Sequence, residues 1–427
     1  MKKLVLIFFI AFVTPVAFSQ WVQLQSGTTQ SLYDICFINE STGIAVGSNG
    51  VIIRTTNSGL NWTAIPSFIT QNIYSTCFPS ISTGYASGYT GYVIKTSNSG
   101  SSWFNAAGCG INVRSISFIN ALTGITGGGG NLMCFSTDGG SSWNPRYTPS
   151  PHMVSGVHFV NASMLMVCVT DMPGALIYKS TNTGYNWSTV LMLNNSGMDI
   201  SYTLSSIYFK DGNTGFATGS NYYYGQTFGQ IYRSTNSGNN WDLVFNYGPA
   251  LGYNINAIHF GESSIGFAVG IYGGVAKTYN SGASWFEQPS GVSATLNGVF
   301  MINALTGYIC GDDGLILKTT NGGLSGFEPI SNKTPTNFKL YQNYPNPFNP
   351  VTTIKFDIPK SSFTKLVVFN SLGKEVAILV NEKLSAGSYE VNWSTPTGDG
   401  LNYPSGVYFY KMNADDFVQT RKFILIK

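Results

Sequence analysis

Charge is scarce in this chain of 427 residues: 22 basic and 19 acidic side chains make up only 10% of it, where a soluble domain usually carries about a quarter. A formal net charge of only +3 argues against a basic nucleic-acid binder. No three- or seven-residue period runs through the chain, which excludes collagen and coiled coil. Beyond the first 19 residues no stretch of 18 or more apolar residues occurs, so the sequence predicts no transmembrane anchor. What is abundant is Ser, Thr, Asn and 49 Gly, together with 28 Phe, 25 Tyr and 8 Trp. That mixture suits many short strands joined by tight turns, and a hydrophobic content of 43% excludes disorder.

Residues 1–19 open with Lys2 and Lys3, continue through the apolar run Leu4 to Val13, and reach small residues at Ala17 and Ser19. This pattern predicts a secretory signal peptide. No cysteine stands at the expected cleavage point, which argues against a lipoprotein. The six cysteines are at 36, 77, 109, 134, 168 and 310. Cys36 and Cys77 each precede a Phe at the same place in successive repeats, so their side chains should point the same way and not at each other. Buried free thiols in strands are the expectation for all six.

One phrase recurs seven times: TTNSGLNW (55–62), TSNSGSSW (96–103), STDGGSSW (136–143), STNTGYNW (180–187), STNSGNNW (234–241), TYNSGASW (278–285) and TTNGGLSG (319–326). Its central residues, Asn57, Asn98, Asp138, Asn182, Asn236, Asn280 and Asn321, are 41, 40, 44, 54, 44 and 41 residues apart. That period is the length of one four-stranded propeller blade. Each repeat adds an inner strand ending in an apolar-x-Phe step (Ile35/Phe37, for example), a TGxAxG-like strand, and a strand ending in Lys or Arg before the box. In the box, the Asn or Asp side chain can accept backbone N–H groups of its own turn, Gly permits a left-handed conformation, and Trp packs beneath. The last copy has Gly326 where the others have Trp, while an unmatched Trp21 precedes the first inner strand. Residues 21–25 are therefore expected to supply the outer strand of the blade completed by 296–320, which would close the ring. The fold class read from this pattern is all-β: a seven-bladed β-propeller over residues 20–327.

These words resemble the Asp-box, or BNR-repeat, propellers, and among them the group typified by the photosystem II stability and assembly factor, whose repeats share the TGxAVG…I.RTTNSGxxW wording. The resemblance implies the fold. It implies little about activity, because Asp-box propellers include sialidases, xyloglucan hydrolases, sorting receptors and non-catalytic assembly factors.

The composition then changes. Residues 20–327 hold 20 charged side chains, whereas residues 338–427, less than a third as long, hold 17. Residues 328–337 (EPISNKTPTN) read as a linker. Alternating runs beyond it, such as Thr353–Ile358 and Val407–Met412, predict a small antiparallel, Ig-like β-sandwich. YQNYPNPFNP (341–350), LVVFNSLGKEV, LSAGSYEVNW, YPSGVYFYK and the terminal RKFILIK resemble, in order, the type A C-terminal sorting domain of the type IX secretion system. Asn370 and Ser394 depart from its usual wording. The resemblance implies export across the outer membrane, partnership with the secretion machinery, removal of this domain, and a secreted or cell-surface destination.

A sialidase-like site needs several arginines converging on a carboxylate. Of Arg54, Arg114, Arg146 and Arg233, the first and last occupy a repeat position, which leaves two. A glycosidase needs two facing carboxylates, and Asp171, Asp199, Asp312 and Asp313 on variable loops are candidates joined by no motif. Asp312 and Asp313 with loop carbonyls are also a conceivable Ca²⁺ site, but a solvated turn is the favoured reading. His158 and His259 fall in separate blades and His152 in a Pro-rich loop, so no metal site and no cofactor is expected. No catalytic residue is assigned. The insertions that lengthen the fourth and fifth blades carry Tyr147, Met192, Tyr202, Tyr222, Tyr223, Tyr224, Phe228, Tyr247 and Tyr253. Of these, Tyr202, Tyr222, Tyr223, Tyr224, Phe228, Tyr247 and Tyr253 form the expected ligand-binding face, suited to a sugar chain or a protein surface. The leading expectation is a non-catalytic binding propeller; the alternative is a secreted glycan-active hydrolase.

Overall fold

The computed structural model describes residues 21–426 apart from 111, 172–173, 195–199, 248–253, 263, 321, 324–333, 350, 385 and 395–403. The expected signal peptide, the box residue Asn321, Tyr253, Asp199 and most of the linker lie outside the described residues. Among those described, no helix is long and apolar enough to cross a membrane.

Seven four-stranded antiparallel sheets follow one another along the chain. The first blade runs Leu32–Phe37, Gly43–Gly47, Ile52–Thr55 and Thr63–Ala64 in sheet order from inside to outside. The next five repeat that order. The seventh takes Leu296–Met301, Gly307–Gly311 and Ile316–Thr319 from its own repeat, and its outer strand is Val22–Leu24, paired so that Val22 faces Lys318. Its core joins Leu32, Ile35 and Phe37 of the first blade to Tyr308, Cys310 and Ile316, so the first and last blades are packed face to face.

The repeated words translate into repeated contacts. In five blades the Phe at the end of the inner strand lies over the first Gly of the next strand: a Cβ on Gly43 would stand 2.6 Å from the Phe37 ring, and one on Gly84 2.4 Å from that of Phe78. The fourth blade has Leu165 opposite Phe159, and the seventh has Met301 over Gly307. The same Phe meets the box Trp edge-on, with centroids 6.1 Å apart for Phe37–Trp62 and 6.0 Å for Phe78–Trp103 and Phe118–Trp143, a favoured geometry for aromatic pairs. The last Gly of the TGxAxG strand permits close backbone approach, since a Cβ on Gly47 would fall against the Ser31 carbonyl.

In the first box Thr55 Oγ1 donates to Asn57 Oδ1 (2.9 Å), which also accepts the Asn61 N–H (2.9 Å), while Gly59 N–H donates to Thr55 Oγ1 (3.0 Å). Asn98, Asp138, Asn182, Asn236 and Asn280 repeat this pattern. Hydrogen bonds from Ser142 and Ser136 hold the Asp138 carboxyl down to about 2. In five blades the cation before the box bolts its blade to the next one. Arg54 Nε donates to Ser99 O (2.8 Å), Lys95 Nζ to Gly139 O (3.0 Å), Lys179 Nζ to Ser237 O (2.8 Å), Lys277 Nζ to Gly322 O (2.8 Å) and Lys318 Nζ to Ser58 O (2.8 Å). The third blade has Phe135 at that position, and Arg146 from its outer strand spans the seam instead, 3.9 Å above the ring of Tyr185 in the fourth box.

The expectation of six free thiols needs correcting. Cys109 and Cys134 form a disulfide, Cα atoms 6.0 Å apart, tying the loop after the second blade to the third strand of the third blade. The repeat argument reaches Cys36 and Cys77 because they are equivalent by position; Cys109 is in a connecting loop and has no equivalent. Cys36, Cys77, Cys168 and Cys310 are free.

At the C-terminus two sheets enclose one core. Lys339–Leu340, Val351–Ile358 and Gly387–Ser394 form the first; Glu375–Leu384, Ser362–Phe369, Gly406–Ala414 and Phe417–Leu425 form the second, in those sheet orders. Phe348, Phe356, Tyr389, Trp393, Tyr410 and Phe423 are buried between them.

Trp21 is 4% exposed and meets Phe267 of the sixth blade edge-on at 5.6 Å. Trp21→Ala should therefore cost about 3–5 kcal/mol, and deleting residues 20–26 should lower the melting temperature sharply. A melting curve unchanged by the deletion would show that the outer strand of the seventh blade is dispensable.

Candidate functional site

The connections from outer strand to next inner strand, and those from second to third strand, emerge on one face of a propeller. The central channel opens on that face into a cavity of about 770 Å³ lined from all seven blades. Aligned inner strands show why. Each carries an apolar residue that packs between blades, then a residue facing the cavity: Tyr33, Tyr74, Arg114, Ser155, Ser205, Asn256 and Asn297 in blade order. Two residues further on stands the first member of the apolar-x-Phe step, so this column was present in the sequence. No local phrase marks it, because one residue comes from each repeat and its type changes from blade to blade.

Tyr33 and Tyr74 sit side by side on neighbouring blades, centroids 5.5 Å apart and tilted by 36°. The Arg114 guanidinium lies 4.5 Å over the Tyr74 ring and is exposed. Among the described residues it is the only charged side chain in the lining. On the far side Asn254 Nδ2 donates to Ser205 Oγ (3.0 Å) and Asn256 Oδ1 (2.7 Å), while next to Tyr33 Asn297 Nδ2 donates to Leu32 O and Asp312 Oδ1, both at 3.0 Å.

The innermost strand of a blade has a free edge, and side chains of the preceding blade satisfy it. Asp34 Oδ2 accepts the Thr76 N–H (2.8 Å), Ser115 Oγ the Val157 N–H (3.2 Å), Ser117 Oγ the Phe159 N–H (3.3 Å) and His259 Nδ1 the Met301 N–H (3.1 Å). His158 and His259 are separated by Tyr208, at 5.7 and 5.3 Å between centroids. They are wedges between strands. No group of three or more metal-ligating side chains converges among the described residues.

The expected ligand face is only partly brought together. Tyr222, Tyr223 and Tyr224 stand exposed at the tip of the long hairpin Gly215–Tyr223/Gln226–Ser234, with Tyr223 and Tyr224 edge-to-face at 4.5 Å. Tyr202 and Phe228 flank Asn221 in register across the same sheet and are half-buried, Tyr202 against the core of the fourth and fifth blades. Tyr247 ends the outer strand opposite Gly229. Among the carboxylates, Asp171 pairs with Gly174 at a hairpin end. Asp312 and Asp313 are consecutive on the turn Asp312–Gly314, so these two share one wall and do not face each other across a cleft. Arg114 and Arg146 do not converge: the first lines the cavity, the second lies against a box turn.

Burial pushes the Asp34 carboxyl up to about 7 and pulls His158 and His259 down to about 4. Between about pH 4 and 7 folded Asp34 keeps a proton that the unfolded chain has released, so its contribution to stability is lost as pH rises through that window. The histidines act oppositely: below about pH 6.5 the unfolded chain binds their protons and the folded chain does not, so stability is lost as pH falls toward 4. Asp34→Asn should thus steepen the acid loss of stability between pH 6.5 and 4 by about one proton's slope. Urea unfolding across that range checks this, and identical slopes for the two proteins would refute it.

Residues 342–427 match the family model described as the secretion system C-terminal sorting domain, and residues 13–107 that of the photosynthesis system II assembly factor YCF48. No curated protein matches the sequence significantly. Similar solved structures include YCF48 bound to a D1 peptide (TM-score 0.56, 16% identity, covering 71% of this chain and 98% of that one). Another is YCF48 from Cyanidioschyzon merolae (0.54, 17%, 70% and 98%). A third is the GH74 xyloglucanase from Xanthomonas campestris (0.55, 12%, 79% and 59%). At such identities the likeness is one of fold. The chain is a β-propeller of the Asp-box kind, resembling the photosystem II assembly-factor family and followed by a secretion-system C-terminal sorting domain.

Proposed function

We propose that the protein is a non-catalytic binding propeller, delivered to the cell exterior by the type IX secretion system through a cleavable C-terminal domain. The observation that carries this reading is the chemistry of the face where the channel opens. It offers tyrosines, amides and hydroxyls with a single arginine, which hold a partner by stacking and hydrogen bonding. Acid–base hydrolysis needs a facing carboxylate pair that the described residues there do not supply. A similar propeller has been solved with a peptide bound, which supports binding as the activity without naming the partner here. The exposed Tyr222–Tyr224 tip is the proposed outer contact for a protein or polysaccharide of the cell surface. Signal-peptide cleavage after residue 19 and a boundary near 328–337 belong to the same proposal. A photosystem role does not fit a chain with this sorting domain.

Two measurements test it. The chain truncated at residue 337 should stay in the periplasm while the full chain reaches the surface. Affinity capture from native surface material should be lost when Tyr222, Tyr223 and Tyr224 are replaced by Ala. Release of reducing sugar by the purified propeller, abolished by Asp171→Asn or Asp312→Asn, would instead establish the hydrolase reading.

A further inference from the structure

We propose that the mouth of the central channel binds a carboxylated sugar residue of an acidic polysaccharide, with Tyr33 and Tyr74 as the stacking platform and Arg114 as the partner of the carboxylate. The inference rests on the binding role above and names the ligand class for a second site on the same face.

Size is the first consideration. About 770 Å³ falls within the range of ligand pockets, about 300–1,000 Å³, and the walls come from the rigid inner strands of every blade. Charge is the second. Among the described residues no carboxylate forms an ion pair with Arg114, and stacking on Tyr74 at 4.5 Å fixes its plane while its donors remain open to the cavity. A guanidinium held this way presents a fork that fits a carboxylate.

The third consideration separates a sugar from a peptide. An extended peptide is held chiefly by backbone groups of a free strand edge. Here side chains of adjacent blades already occupy that edge. Donors Thr76 N–H and Val157 N–H are satisfied by Asp34 and Ser115, and the carbonyls of Leu32, Leu204 and Leu296 accept from Asn297, Thr170 and Asn256. What stays available is two aromatic faces, one guanidinium and the unused valences of amides and hydroxyls. An apolar pyranose face with hydroxyls at its rim and one carboxylate matches that set; a main chain does not.

The full-length protein should be tested against polygalacturonate, alginate and hyaluronan, with carboxyl-reduced polygalacturonate as the neutral control, by affinity electrophoresis and calorimetry. At least one acidic polymer should bind in a salt-sensitive manner and the reduced polymer about tenfold or more weakly. Arg114→Gln should lose about tenfold or more, Arg114→Lys should retain part of the affinity, and Tyr74→Ala should weaken binding while the melting temperature stays unchanged. Binding by none of the three polymers, equal binding of the reduced polymer, or an Arg114→Gln protein that binds like the parent would each overturn the proposal. Displacement of the polymer by short peptides with free carboxylates, at lower concentration than by galacturonate oligomers, would also overturn it and assign the mouth to peptides. The protein with Tyr222, Tyr223 and Tyr224 replaced by Ala should bind the polymer as before. If it loses surface capture while no acidic polymer binds the parent, the binding role stands and the channel assignment falls.

Discussion

A phenylalanine ring lying on a glycine is the contact from which the rest of the propeller follows. In five blades the ring fills the space a Cβ on the glycine would take and so fixes how the inner and second strands meet. The opposite edge of the ring receives the box tryptophan, which positions the turn. The turn's carbonyl accepts the cation of the preceding blade. Aromatic residues after the glycine extend the chain of contacts across the seam: Tyr308 stacks on Phe37 at 3.9 Å and Tyr85 on Phe118 at 3.6 Å. The low charge of the propeller has its cause here, because most of its positions are committed to packing or to hydrogen bonds within turns.

This hierarchy explains what was legible in the sequence. Contacts within one repeat recur at a fixed period, so the box, the apolar-x-Phe step and the glycine strand could be read directly, and the seam cation with them. Features that break the period could not. The Cys109–Cys134 bridge joins two inequivalent positions, and Arg146 replaces a missing seam cation from a different strand. The loop tyrosines were visible as composition, yet strand alternation decides which are presented. Tyr222 to Tyr224 reach solvent at the tip, whereas Tyr202 and Phe228 lie further down the sheet, half-buried.

The channel mouth illustrates the other limit. Its residues from Tyr33 to Asn297 are spread over most of the propeller, one per blade, and only the closed ring assembles them. Their chemistry differs from blade to blade although their register does not. The repeat thus supplies the geometry, and departures from it supply recognition: aromatic rings on one side, an arginine beside them, amides opposite.

The pairing of Val22–Leu24 with Ile316–Thr319 also governs when the molecule can become itself. The first segment of the propeller to be synthesised waits for nearly the last before it finds its partner, and a contact so distant along the chain is slow to form. Until then the growing polypeptide has one incomplete blade and an unsealed seam. The six blades built from a single repeat can form as their own residues appear, whereas the closing seam must wait for the last repeat.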